Sequence, residues 1–257
     1  MRFTALIPAR MSSTRLPRKP LADICGKPMV VRTAERALAS GAETVAVACD
    51  SPEIVAACQE HGIRAILTRA DHPTGTDRLA EAVGVLGLAD EAIVVNVQGD
   101  EPLIAPEVIS RVAGELDLAP DCAIATAAHP IADTESFLNP NVVKVVLNKA
   151  GRALDFTRAP APWPRDAFKN GPAPLPQGLP AYHHIGLYAY RAGFLKAFPR
   201  LERAPIEAFE SLEQLRALWH GYAIRVMLLE DKLPAGVDTE DDLKRVRAVY
   251  AAGGCSC

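Results

Sequence analysis

Short apolar runs rich in β-branched residues recur along this chain, and each is followed by a stretch with the period of an amphipathic helix. That alternation admits few folds: helices must cross over between strands of a mostly parallel sheet. The runs fall at Thr4–Pro8, Thr44–Cys49, Arg64–Thr68, Ala92–Val97 and Ala123–Ala127, with further ones at Val142–Leu147, His184–Tyr190 and Ala223–Leu228. Helical stretches lie between them at Glu53–Glu60, Thr76–Leu86, Pro106–Leu116, Ile206–Trp219 and Asp238–Ala251. Another opens at Pro28, places Val30, Ala34, Ala37 and Leu38 on one face, and is closed by Gly41. The expected architecture is a three-layer α/β/α fold with a mostly parallel sheet, a single domain over residues 1–250 followed by a flexible tail, 251–257. Residues 158–180 break the pattern, holding seven of the 21 prolines, so neither regular helix nor central strand fits there. Such a stretch is either a surface excursion or a loop bordering a site.

In an open α/β sheet the ligand crevice lies beyond the carboxyl ends of the strands, which directs attention to the loops after residues 8, 97 and 228. Charge points to the first of these. Residues 1–27 carry six cations against one anion, Asp23, a net +5 against −8 for the remainder. The sequence pI of about 6.1 argues against a nucleic-acid partner and for a small, highly charged anion. No apolar run approaches the roughly 18 residues that cross a bilayer, and MRFTALIPAR has no secretory h-region, so neither membrane insertion nor secretion is expected. The six cysteines form no C-x-x-C pair and are expected to be reduced thiols in a cytoplasm.

Four motifs carry chemistry. In Leu6–Leu21, LIPARMSSTRLPRKPL, a strand releases a loop with the small residues Ala9, Ser12, Ser13 and Thr14 and the cations Arg10, Arg15, Arg18 and Lys19, with no acid among them. A polyphosphate would compensate such a loop, with guanidinium forks and an ammonium on its oxygens; a solvated basic loop is the alternative. The Walker pattern and G-x-G-x-x-G are both absent. In residues 94–102, VVNVQGDEP, a buried strand ends at a Gln98-Gly99 turn and presents Asp100 and Glu101, which suit Mg²⁺ shared with substrate phosphates or simply form an acidic turn. Gly236-Val237-Asp238-Thr239 reads as a helix cap, and Asp238 as a second carboxylate for the same metal. In residues 68–78, Thr74-Gly75-Thr76 opens the helix that carries Asp77 and Arg78, either a capped helix alone or a contact surface for a base or ribose. Arg158, the pair His183-His184 with Tyr188, and Glu213-Gln214 complete the polar candidates; adjacent histidines do not make a helical zinc pair.

Taken in order, L-I-P-A-R-x-x-S-T-R-L-P-x-K-P-L, D-I-x-G-K-P-M, T-R-A-D-H-x-x-G-T-D-R, V-N-V-Q-G-D-E-P, F-x-R-A, H-x-G-x-Y-x-Y-R, L-E-Q-L-R and G-V-D-T-x-x-D-L run from Ala5 to about Arg247. The set closely resembles the 3-deoxy-manno-octulosonate cytidylyltransferases, or CMP-Kdo synthetases. The resemblance implies a nucleotide-diphospho-sugar-transferase-type domain, usually a homodimer. It would join CTP and 3-deoxy-D-manno-octulosonate (Kdo) into CMP-Kdo and pyrophosphate with Mg²⁺, for lipopolysaccharide biosynthesis. It also implies that Arg10, Arg15 and Lys19 hold the triphosphate and that Ala9, Gly75, Arg78 and Gln98 surround the nucleoside. Asp100 and Asp238 would bind Mg²⁺, and Arg158, His184, Tyr188, Glu213 and Gln214 would form the sugar-acid pocket. Arg10, Arg15, Lys19 and Asp100 form the implied catalytic set, working by positioning and electrostatics. Arg18 stands where many relatives have glycine, and Cys25 where a small or polar residue is common. The same reaction on an amino-Kdo or a nonulosonate is the near alternative. A glycosyltransferase would carry an Asp-x-Asp motif, and a silent nucleotide-binding protein would have lost some of Lys19, Asp100 and Asp238.

Overall fold

The computed structural model describes residues 1–13 and 15–253; Thr14 of the basic loop, and Cys255 and Cys257 of the tail, lie outside the described residues. The chain forms two compact units, one from Met1–Asp117, Leu187–Pro199 and the residues from Leu233 onward, the other from Leu118–Gly186 and Arg200–Lys232.

The first unit opens with β1 (Thr4–Ala9), the short pair β2 (Asp23–Ile24) and β3 (Lys27–Pro28), and α1 (Met29–Ala39). It continues with β4 (Thr44–Cys49), α2 (Pro52–Glu60), β5 (Ala65–Leu67), α3 (Gly75–Val85), β6 (Ile93–Asn96) and α4 (Pro106–Asp117). β5, β4, β1 and β6 lie side by side and parallel, as crossover helices require. Val94 and Val95 of β6 and Leu6 and Ile7 of β1 are completely buried, because a parallel strand is covered on both faces. Ser51 caps α2 and Thr74 caps α3, each side chain accepting an N–H of the first turn, which fixes where the loops after β4 and β5 end. Gly41, at φ +78, ends the turn after α1 as a glycine there should.

The second unit contains β7 (Ile124–Pro130), α5 (Thr134–Leu138), β8 (Lys144–Leu147) and β9 (Ala153–Thr157). β10 (Tyr182–Arg191) begins there and ends in the first unit, where it pairs antiparallel with β6 and leads into α6 (Ala192–Ala197). α7 (Pro205–Glu210), α8 (Gln214–Trp219) and β11 (Ile224–Leu228), parallel to β7, complete the second unit, and α9 (Glu240–Ala251) belongs to the first. The α/β expectation holds, with strand positions close to those read from the sequence. Two details differ. The single helix expected over Ile206–Trp219 is two, because Ser211 adopts the left-handed conformation at φ 51 and ends the first of them. β9, antiparallel to β8, was not expected at all; its five residues include Asp155 and carry no long apolar run.

Residues 158–180 contain no regular element but do not simply float over the surface. Phe168 is buried in a cluster with Ile131, Phe137 and Ala181, edge-to-face with Phe137 at 6.2 Å and with Trp163 at 5.1 Å between ring centroids.

Candidate active site

The basic loop leaves the carboxyl end of β1, and Leu16 anchors it. Leu16 packs with Ile24, Met29, Val237, Leu243 and Val246, so one apolar cluster ties the loop to α9 and to the segment preceding it. Two glycines then bring the carboxylates in. A Cβ on Gly99 would lie 2.9 Å from the Pro8 carbonyl oxygen, and one on Gly236 would lie 3.1 Å from that of Asp100. Gly99 is therefore needed for close approach of backbones, not for the turn conformation the sequence suggested. The Val237 N–H donates to the Asp100 carbonyl at 2.8 Å and sets Asp238 beside Asp100.

The outcome is a charge cluster within the first unit. Lys19 Nζ, on a short 3-10 turn at Lys19–Leu21, donates to Asp100 Oδ2 at 2.6 Å and to Asp238 Oδ1 at 3.0 Å, and Arg15 Nη2 reaches the same Asp238 oxygen at 3.0 Å. Arg18 pairs with Glu53, and Arg10 is exposed. The four cations of the loop are thus not left to repel one another until an anion arrives: three already hold carboxylates. Burial and the neighbouring Asp100 charge push the Glu101 carboxyl up to about 7.

Arg18 adopts the left-handed conformation at φ 56, which suits a glycine. Relief of about 1 kcal/mol of backbone strain is opposed by a surface ion pair worth under about 1 kcal/mol and by the added freedom of an unfolded glycine. Arg18→Gly should therefore keep its melting temperature within about 4 °C of the parent and its turnover within a fewfold. A tenfold loss in steady-state turnover would instead give the guanidinium a part in the reaction.

The residues expected around the nucleoside lie in the same unit. Ala9 ends β1 in register with Cys49, and Gly75 begins α3 against Pro8. Gln98 accepts the Glu101 N–H on its carbonyl. Arg78 is buried, donating to Thr68 Oγ1 at 2.6 Å and to the Arg69 carbonyl at 3.2 Å, with Asp50 at 3.5 Å. Asp50 in turn accepts the Met11 N–H at 3.0 Å, so Arg78 braces the basic loop through a carboxylate that sequence reasoning missed. Its one signal was position, at the carboxyl end of β4.

Of the expected sugar residues, Tyr188 lies in the first unit, opposite Asn96, and Arg158, His184, Glu213 and Gln214 lie in the second. Arg158 follows β9 and is bound to the end of α7: its N–H donates to Glu210 Oε2 at 2.9 Å and its Nε to the Glu210 carbonyl at 2.6 Å, while Nη1 reaches the Pro140 carbonyl at 2.9 Å. Arg158 is thereby held at the turn that carries Glu213 and Gln214. Lys144, fully buried, donates to the Asn139 carbonyl at 2.9 Å, and burial lowers its pKa against the pull of Glu210. Glu210, Lys144 and His129 gave no motif signal.

His184 Nε2 lies 3.0 Å from Thr126 Oγ1 and its ring stands edge-to-face with Phe156 at 4.8 Å. His183 Nδ1 lies 3.1 Å from His129 Nε2. Burial, reinforced by neighbouring histidine and lysine charge, lowers His183 to about 4; burial and His183 lower His184 to about 3. Both rings are neutral in the fold, whereas the unfolded chain takes up protons below about 6.5. Their stabilisation is complete above that pH and is lost as pH falls toward the folded values. Urea unfolding should show stability dropping between pH 6.5 and 5, with a slope up to about 1.4 kcal/mol per pH unit for each histidine. His183→Gln should make that slope shallower, and an unchanged slope would contradict the assignment.

Among the described residues Cys25, Cys49, Cys58 and Cys122 are free thiols, and burial pushes Cys58 up to about 12, leaving it inert. No helix is long and apolar enough to cross a membrane among these residues.

A basic loop and paired carboxylates at the carboxyl edge of a mostly parallel sheet define a nucleotidyltransferase of the α/β class. The match is specific: a family model described as cytidylyltransferase fits residues 4–228, and the chain belongs to that family. A solved structure of CMP:2-keto-3-deoxy-manno-octonic acid synthetase complexed with CTP is 41% identical, with a TM-score of 0.87, over 98% of this chain and 100% of that one.

Proposed function

We propose that this chain transfers CMP from CTP to the anomeric hydroxyl of Kdo, releasing pyrophosphate, in the cytoplasmic supply of activated sugar for lipopolysaccharide. The observation that carries the reading is the ammonium of Lys19 held between Asp100 and Asp238, at 2.6 and 3.0 Å, inside the basic loop. The family match and the CTP-bound relative support it.

Arg10, Arg15 and Lys19 would take the triphosphate, Arg15 and Lys19 exchanging carboxylate partners for phosphate oxygens. Ala9, Gly75, Arg78 and Gln98 would frame the nucleoside. The converging carboxylate oxygens of Asp100 and Asp238 are hard donors close enough to share one ammonium, which fits Mg²⁺, a cation normally held by one or two carboxylates plus phosphate. Bound there, Mg²⁺ would offset charge on the phosphate oxygens. The sugar oxygen forms its bond to the α-phosphorus as the bond to pyrophosphate breaks, the hydroxyl proton leaves to solvent, and the basic loop stabilises the departing charge. Arg158, His184, Tyr188, Glu213 and Gln214 would hold the sugar acid. Gln214 supports this: it is 7% exposed, and its Nε2 has no hydrogen-bond partner among the described residues, a buried donor suited to a sugar oxygen.

The proposed assembly is a homodimer. Phe209 is 92% exposed, and Trp219, Leu154 and Ile206 of the same unit are also open, an apolar excess that a second copy would cover. Light scattering should report twice 27.5 kDa.

The test of activity is pyrophosphate release with Mg²⁺, using CTP, UTP or ATP against Kdo, an amino-Kdo, N-acetylneuraminate or no sugar. Release confined to CTP plus Kdo is expected. Release with another acid sugar would move the substrate and keep the mechanism; no release from any pair would overturn the reading.

A further inference from the structure

The carboxamide of Asn96 has no role in the assignments above, yet its setting is that of a ligand contact. Asn96 ends β6 at the carboxyl edge of the sheet, two residues before Gln98 and four before Asp100. It is 4% exposed, and its Oδ1 has no hydrogen-bond partner among the described residues. Buried polar groups in folded proteins are nearly always satisfied, and an isolated acceptor calls for a donor that the chain itself does not supply. The neighbours show where that donor belongs. Asn96 is in direct antiparallel register with Tyr188, and residues directly opposite in such a pair share a face of the sheet. On that face Tyr190 follows Tyr188 as Val94 precedes Asn96, and the two tyrosine rings stack at 5.6 Å. Its partner on the β1 side is Leu6, which is apolar.

We propose that Asn96 is a specificity-determining residue that accepts a hydrogen bond from a hydroxyl of the acid sugar; this rests on the proposed Kdo reaction and on Tyr188 facing that sugar. The chemistry selects among substrate groups. Phosphate oxygens and the sugar carboxylate are acceptors and would repel Oδ1, whereas a hydroxyl donates. The register selects among donors, because Tyr188 stands directly opposite Asn96 whereas Gln98 lies beyond the end of β6.

Asn96→Leu keeps the branched four-atom skeleton of the side chain and removes the acceptor. Pyrophosphate release by this variant should show a KM for Kdo about tenfold higher, with the KM for CTP within twofold of the parent. Its melting temperature should be equal to the parent's or a few degrees higher, since an unsatisfied buried group has been deleted. Asn96→Thr, which retains an oxygen acceptor, should recover part of the Kdo affinity. On the unaltered enzyme, Kdo analogues each lacking one hydroxyl should include one whose loss costs about as much as Asn96→Leu, and that analogue should suffer no further loss with the variant. A lower melting temperature with unchanged KM for Kdo would overturn the proposal in favour of a structural water, and a change confined to CTP would overturn it in favour of the nucleoside. If the unaltered enzyme releases no pyrophosphate from CTP and Kdo, the reaction assignment itself has failed. Normal release by that enzyme with an unaffected Asn96→Leu variant sinks only the role of Asn96.

Discussion

Asp100→Asn should lower turnover with CTP and Kdo by about a thousandfold or more and leave the fold intact. The carboxamide has the shape of the carboxylate, so the Gly99 and Gly236 approaches that build the site are undisturbed. The charge is what disappears. Asp100 presents one of the two carboxylates suited to Mg²⁺ and accepts the shorter of the two Lys19 bonds, at 2.6 Å. Removing a single preorganised electrostatic group from a phosphoryl-transfer-type site commonly costs 10² to 10³ in rate, and here the metal and the lysine lose a partner together. Stability should fall by only about 1 kcal/mol, because Lys19 keeps Asp238 at 3.0 Å and the carboxamide oxygen can still accept from it in a partly buried pair. Pyrophosphate release at saturating CTP and Kdo over a range of Mg²⁺ concentration, alongside a thermal melt, tests both parts. Turnover within tenfold of the parent at every Mg²⁺ concentration would remove Asp100 from the machinery, whereas recovery only at high Mg²⁺ would keep it there as a metal ligand.

The parallel strands of the first unit were legible because a strand covered on both faces must be a run of β-branched and aliphatic residues, and such runs as Leu6–Ile7 and Val94–Val95 have no competing interpretation. The caps at Thr74 and Thr239 were equally local. What the sequence did not show depends on meetings between distant segments. Nothing near Asp238 says that Val237 will pack on Leu16, yet that contact brings the second carboxylate to the basic loop. The compensation of the cations by Asp100, Asp238 and Glu53 was hidden for the same reason, and so was Asp50, whose role exists only because Arg78 and Met11 converge on it. In the second unit the obstacle was backbone conformation. Helical periodicity continues through Ser211, but one left-handed residue divides the helix and aims Glu210 back at Arg158.

The same division decides how the arginine of the L-E-Q-L-R motif should be read, and Arg216→Met tests it. Glu207 on α7 is 2% exposed and Arg216 on α8 is 8% exposed; Nε and Nη2 bind the two carboxylate oxygens at 2.9 and 2.6 Å, a bidentate pair closing the two short helices on each other. Removing the guanidinium leaves a buried carboxylate with only Arg203, 3.5 Å away and mostly exposed, as a cation among the described residues. Breaking such a pair costs about 3–5 kcal/mol, which in a chain of this size lowers the melting temperature by about 6–20 °C, the smaller end applying if Arg203 moves in. A second substitution separates structure from recognition. With both members apolar no charge is left stranded, so Glu207→Met combined with Arg216→Met should regain most of the lost stability. If pyrophosphate release returns with the fold, Arg216 is a clamp that sets the turn bearing Glu213 and Gln214. If the fold returns and KM for Kdo stays high, the guanidinium belongs with the sugar-acid residues; and if Arg216→Met alone melts with the parent, the pair is not what holds the helices.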